Sequence, residues 1–407
     1  MLAAVALACL APLDPPVVAG RAEAPATVYL AGRILTAAGD PVDGGAMLVR
    51  NGRIEAVGAR GTVAVPPDAR VVDFGAAWLC PGFVDLHHHV SSGGGDINDM
   101  VAPLNHELRT LDLVRPTDEA ILRTVAGGIT TTLFIPGSGT FISGFGVLLK
   151  MRHGEPLDQL VLRPLGAMKV AQGFNPERQS GDLGATRMGS SELLTKRLEQ
   201  ARDYASSWRA FEAGTGPKPE RDASLEQLRL VFDKEVPVLI HTAGARDCVA
   251  TARMFQDVFD LRMVLSHGCF DGFMAAAALA KRKTPVNLGP RMYQFDRYSA
   301  FQGMCIAYWN EGCTDMSINT DAPVVAAEEL PLQAAMAVRL GLPYHVALQA
   351  LTLAPARQIG VADRVGSLEV GKDADFLVTD GDPLDSRNPP LHVYIDGKCI
   401  VSNGKVK

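Results

Sequence analysis

The 407-residue sequence predicts an α/β protein: a (β/α)8 TIM-like barrel over residues 81–360, with a small β-sandwich domain formed from both chain ends, 26–80 plus 361–407. Three observations point there. The chain exceeds the length at which one core stops growing, and a barrel of roughly 250 residues leaves enough chain for a second, smaller unit. From about 82 to 360, short apolar strands alternate with helix-like segments, the signature of βα units around a parallel sheet. Hairpin-like texture is confined to the two ends.

The opening stretch, MLAAVALACLAPLDPPVVAG, has an apolar run from Leu2 to Leu10, then prolines and the small residues Val18 and Ala19. It reads as a secretory signal peptide without its basic n-region, or as a disordered tail, over residues 1–25. The first reading places the protein in the periplasm or outside the cell, the second in the cytoplasm. Cys9 has a poor lipobox-like context. From Thr27 to Val72, VYLAGRILTA, GAMLVRNGRIEAVGA and ARVVDF alternate with Gly, Asn-Gly and Pro-Pro punctuation, as in an antiparallel sheet of hairpins. The same texture returns in DADFLVTDGDPL and HVYIDGKCIVSNGK. Neither end can bury a sound core alone, so the two are expected to pair.

The barrel strands are read as FVDLHHHV from Phe83, ITTTLFIP at 129–136, GFGVLLKM at 144–151, PLGAMKVA at 164–171, VPVLIH at 236–241, LRMVLSH at 261–267, TPVNLG at 284–289 and TDMSINTD at 314–321. Apolar residues at three- and four-residue spacing predict helices in SLEQLRLVFDKE at 224–235 and PLQAAMAVRLGL at 331–342. The insert between Gly173 and Ala223, helical from Ser191 to Ala213, follows the fourth strand and is expected to cap the catalytic face.

Composition narrows the class. Apolar residues make up 47% and charged residues 21%, as in an ordinary globular enzyme, and the net charge of −6 leaves no basic face for nucleic acid. No apolar run reaches membrane-spanning length. The seven cysteines are scattered without a C-x-x-C pair, so neither a disulfide framework nor a zinc knuckle is indicated. The expected partner is a small-molecule substrate, with room for a homo-oligomer.

The chemistry concentrates at strand ends. In PGFVDLHHHV, His87 and His89 are two apart on a strand and share a face, where two imidazoles can grip one metal ion. Asp85, one pleat deeper, could accept the spare ring N–H of a histidine and fix its tautomer. His241, His267 and Asp321 close the fifth, sixth and eighth strands, the end where barrel enzymes keep catalytic groups. Each alone could be an ordinary polar strand end; together they suggest a site. His106, His153, His345 and His392 fall elsewhere and receive no role. Lys169, inside the apolar run GAMKVA, needs a reason to be buried. It is read as a carbamate formed with CO2 that bridges two cations, or as an amine paired with a carboxylate or reaching water by its stem.

These residues resemble the amidohydrolase superfamily across almost the whole chain. PGFVDLHHHV is similar to its opening motif, the strand-end histidines and SINTDAP to its later metal stations, and RVGSLEVGKDADFLVTDGDPL to its closing signature. The imidazolonepropionase-like and metal-dependent prolidase-like branches look nearest. The resemblance implies a divalent metal, zinc being the first choice, as one or two ions. His87 and His89 would hold the more buried ion with Asp321, and His241 and His267 the more exposed one, with Lys169 carbamate between them. Asp321 and His267 would be the catalytic groups. The implied reaction is hydrolysis of a carbon–nitrogen bond in a cyclic amide, with a dipeptide as the neighbouring substrate. Without carboxylation the set reduces to a mononuclear, deaminase-like site of His87, His89, His241 and Asp321, with His267 over the water. A metal-binding barrel without catalysis is the third reading.

Specificity is sought in the loops: Ser91–Asp96, Arg291 and Tyr293, and Thr186 and Arg187 in the insert, each also readable as ordinary solvated loop. The Gly-rich GSGTFISGFG at 137–146 lacks the lysine and helix start of a phosphate loop.

Overall fold

The computed structural model describes residues 25–92, 95–177, 186–295 and 299–407. The signal-like segment and parts of the Ser91–Asp96 loop and of the insert lie outside them.

Eight strands form one sheet whose spatial order follows chain order: Phe83–His88, Ile129–Phe134, Ile142–Lys150, Val161–Ala171, Val238–Thr242, Met263–His267, Val286–Leu288 and Met316–Ile318. The first strand and the segment after the eighth meet at a parallel bridge, His88 to Ala322, and the His89 N–H donates to the Ala322 carbonyl at 2.9 Å. The sheet is therefore a nearly closed TIM-like barrel. All eight expected strands are present, but the third runs antiparallel to both neighbours. A parallel return needs a crossover of a dozen residues or more, and only residues 135–141 separate the second strand from the third. The chain turns back at the C-terminal ends of the parallel strands instead, and Lys150, at the end of the third strand, arrives at the opposite face.

Ala167, Leu239 and Val264 precede Lys169, His241 and Ser266 by two residues and so share their face of the sheet. With Leu133, Leu148 and Ile359 they belong to one fully buried apolar cluster beneath the polar layer. Helices flank the barrel, among them Glu226–Phe232 and Leu330–Arg339 at the expected places, and the insert helix Arg187–Glu212. No helix among the described residues is long and apolar enough to cross a membrane.

The two chain ends share a nine-stranded sheet. Strand Trp78–Pro81 lies between N-terminal Thr27–Ile34 and C-terminal Phe376–Thr379, and two residues later the chain enters the barrel. Aromatic rings from both ends pack together: Phe376 stacks on Tyr394 with centroids 4.4 Å apart, and Tyr29 meets Phe376 edge-on at 4.9 Å. Such pairs add to the area they bury, so neither end is complete without the other.

Candidate metal centre

The six residues singled out from sequence converge at one mouth of the barrel. The His87 and His89 rings lie 4.9 Å apart between centroids, His87 and His267 4.3 Å, and His241 and His267 4.5 Å. Lys169 Nζ is 2.9 Å from His87 Nε2, and Asp321 Oδ1 lies 3.4 Å from His87 Nε2 and 3.2 Å from His89 Nε2. Ligand atoms fall into two overlapping triads, each within 4.8 Å: His87, His241, His267 and His87, His89, Asp321.

Strand alternation accounts for only part of this. His267 ends the sixth strand next to Ser266, yet both approach His87, because the backbone of His267 turns left-handed with φ 79°. Asp321 lies beyond the end of its strand with φ 52°. A positive φ is uncommon for a residue with a Cβ and recurs where surrounding structure holds a functional group in place. His88, on the opposite face, is buried with neither ring nitrogen hydrogen-bonded.

Ring protons point away from the centre. His89 Nδ1 lies 3.0 Å from the Ile135 carbonyl and His267 Nδ1 3.3 Å from the Gly289 carbonyl. A carbonyl only accepts, so each Nδ1 carries the hydrogen and each neutral ring presents a bare Nε2 lone pair. Burial lowers the pKa of all four histidines, His267 to about 4 and His87 well below its usual value, so the rings are neutral. Burial alone would raise the Asp321 carboxyl. The close approach of His89, with the nearby His267 and Lys169, outweighs it and holds Asp321 below the usual carboxylate value. Lone pairs and a carboxylate thus face one another without a hydrogen between His89 and Asp321, and His267 Nε2 is buried with no partner. That donor set suits a divalent cation.

Asp85 does not take the expected role. It accepts the backbone N–H of His87 at 3.0 Å and the Thr320 hydroxyl at 2.6 Å, touching no imidazole. Pairing between the first two strands slips on both sides of Asp85, so plain alternation fails there. The carboxyl ties the first strand to the turn carrying Asp321, and burial pushes its pKa up to about 7. The partner of His87 Nδ1 is instead Ser266 Oγ at 2.7 Å. Ser266, Asn287, Ser317 and Asn319 were not singled out from sequence; the polar residues inside apolar strands were the available signal.

Lys169 is fully buried, and among the described residues its amine meets His87 rather than a carboxylate. The loop candidates are mostly engaged locally. Thr186 caps the insert helix through the Gly189 N–H, and Arg187 pairs with Asp247 at 2.7 Å. Tyr293 stacks on Phe301 with centroids 5.3 Å apart, and Arg291 is exposed. A cavity of about 620 Å³ adjoins His89 and Pro323, with Arg115, Arg123, Asp118 and Glu119 in its wall.

Residues 78–405 match the model of the amidohydrolase family. The chain belongs to that family. As an amidohydrolase it is 29% identical over 388 residues to amidohydrolase tasK of Hapsidospora irregularis, a match that takes in 87% of this chain and 39% of that relative. It thus spans well under half of that longer protein. It is 24% identical to the imidazolonepropionase of Mesorhizobium japonicum, covering 83% of this chain and 87% of the relative. Among solved structures, an amidohydrolase from Thermotoga maritima superposes with a TM-score of 0.82 at 29% identity, covering 93% of this chain and all of that one.

Proposed function

We propose that this amidohydrolase uses divalent metal to hydrolyse a carbon–nitrogen bond outside protein peptide bonds, in a cyclic amide, with a dipeptide as the neighbouring class. One observation carries the reading: bare imidazole lone pairs and the Asp321 carboxylate converge in two overlapping ligand triads. His87, His89 and Asp321 would hold one ion and His241 and His267 a second, with Lys169 as a carbamate between them. Zinc suits this mixture of nitrogen and anionic oxygen ligands. When bound, such ions polarise a carbonyl and lower the pKa of a coordinated water.

The chain's own groups do the rest. Asp321 stays ionised, so it can accept a proton from the attacking water and return it to the leaving amine. Its side chain is 17% exposed, so it remains reachable from the mouth. Burial lowers the Lys169 amine to about 7, which populates the neutral form near neutrality. That form adds to CO2: a nitrogen–carbon bond forms, a proton leaves, and the product is a carbamate anion. The cavity beside His89 has the size of a small-molecule site, and its mixed charges suit the ends of an amino-acid derivative. The relative named imidazolonepropionase supports a cyclic amide. The finer architectural reading, a β-sandwich of 26–80 with 361–407 beside an 81–360 barrel, is supported by the shared sheet and its aromatic stack.

The direct contact between the Lys169 amine and His87 favours a second reading, the mononuclear deaminase-like site. Elemental analysis separates the two: close to two ions per chain, with a carbamate signal after 13C-bicarbonate labelling, supports the bridged centre, and close to one supports the other. On a panel of hydantoin-like rings, N-acyl amino acids and dipeptides, Asp321→Asn should lower kcat about 10²–10⁴-fold while keeping much of the metal. Unchanged turnover in that variant would remove Asp321 from the chemistry.

A further inference from the structure

A buried chain of side-chain hydrogen bonds leads from His87 away from the metal centre. Ser266 Oγ lies 2.7 Å from His87 Nδ1 and 3.0 Å from Asn287 Oδ1; Asn287 Nδ2 is 2.7 Å from Ser317 Oγ; Ser317 Oγ is 2.6 Å from Gln358 Oε1. Ser266, Asn287 and Ser317 are register partners on the sixth, seventh and eighth strands, and all three are fully buried. No position in the chain is free to reverse.

Direction is set at the far end. The Gln358 side-chain nitrogen faces three oxygens, the Val286 carbonyl at 3.2 Å, the Asp315 carbonyl at 3.4 Å and Asp315 Oδ1 at 3.0 Å. Carbonyls accept only, so the amide of Gln358 must present its nitrogen to them and its oxygen to Ser317. The Ser317 hydroxyl therefore donates to Gln358 and accepts from Asn287 Nδ2. Asn287 Oδ1 is left as an acceptor, which the Asn319 amide confirms by donating to the same oxygen at 2.9 Å. Ser266 spends its one hydrogen on Asn287 Oδ1, so toward His87 it can only accept.

We infer that Ser266, Asn287, Ser317 and Gln358 form a directional relay that holds His87 in its Nδ1–H tautomer and keeps Nε2 as a lone pair facing Lys169 and Asp321. His89 and His267 get the same service from backbone carbonyls; His87, deeper in the barrel, gets it from side chains. The four are positioning residues. For its consequence, tighter cation binding, the inference rests on the metal-centre reading; for the tautomer it does not.

The test is 15N NMR of ring-labelled histidine in chelator-treated full-length protein, with the His87 signal assigned by its loss in His87→Gln, together with calorimetric titration of zinc(II). Wild type should show His87 as Nδ1–H. Ser266→Ala, and Asn287→Leu, which touches no imidazole, should give a mixture with Nε2–H and weaken zinc binding about 10–100-fold. Ser266→Thr, which keeps the hydroxyl, should restore both readouts. A wild-type His87 in the Nε2–H form overturns the relay, and so does a tautomer unmoved by Ser266→Ala and Asn287→Leu. If wild type shows Nδ1–H but binds no zinc, the relay is supported and the metal-centre reading falls.

Discussion

His267 and Asp321 reach the centre through left-handed backbone, and Asp85 secures the frame in which Asp321 is held. Asp85 carries a pH signature of its own. Its folded pKa is raised from 3.8 to about 7 by burial, so its contribution to stability is fully present below about 4 and is lost as pH rises through about 7. In Asp85→Asn the amide oxygen can still accept from His87, and no charge forms. In chelator-treated protein, the stability of wild type relative to Asp85→Asn should fall by up to about 4 kcal/mol between pH 4 and 8, read from urea titrations. A difference that stays flat with pH would mean that the carboxyl is already ionised at pH 4. The histidines of the candidate site were legible because a two-residue repeat and strand ends are properties of the sequence itself. The left turn at His267 and the diversion of Asp85 to a backbone N–H were not, because both depend on what neighbouring strands present.

The third barrel strand shows what was and was not readable at the next scale. Its apolar run gave its place, and the direction was available too, since the short 135–141 link excludes a parallel return. Reading eight strands as eight βα units hid that constraint. The reversal brings the start of the strand against the segment around Leu108, whose carbonyl accepts the Phe145 N–H at 2.8 Å. Gly144 permits the approach: its φ is +117°, and a Cβ there would stand 2.6 Å from the Leu108 carbonyl oxygen. That oxygen is backbone and cannot swing aside. Gly144→Ala should therefore cost roughly 3 kcal/mol or more in urea unfolding, combining strained backbone with a hard contact. Gly39→Ala, where a Cβ meets nothing within 4 Å, should be nearly neutral. Equal losses in the two would show that the close approach at Gly144 is not a constraint.

At the scale of the whole molecule, the reversed third strand joins barrel to sheet. Lys150, 3% exposed, ends that strand and places Nζ 2.7 Å from Asp373, 2.7 Å from Asp375 and 2.8 Å from Asp396. Asp373 and Asp375 come from KDADFLVTDGDPL, so the closing signature read from sequence has a physical role, in which its carboxylates receive a barrel lysine. Arg53 and Arg364 also pair with Asp373, and Arg152 with Asp396, which leaves Asp375, fully buried by its neighbours, dependent chiefly on Lys150. Lys150→Met keeps much of the stem's volume and strands that carboxylate, and removing one partner of a buried ion pair costs about 3–5 kcal/mol. The loss should appear as a lowered urea midpoint with little change in metal content, since the cluster belongs to the face opposite the histidines. Adding Asp375→Asn removes the stranded charge and should recover part of the loss, so the double variant is expected to be more stable than Lys150→Met alone. If Lys150→Met stays within about 1 kcal/mol of wild type, the arginines suffice to hold the acids, and the junction rests on the aromatic stack and shared sheet instead.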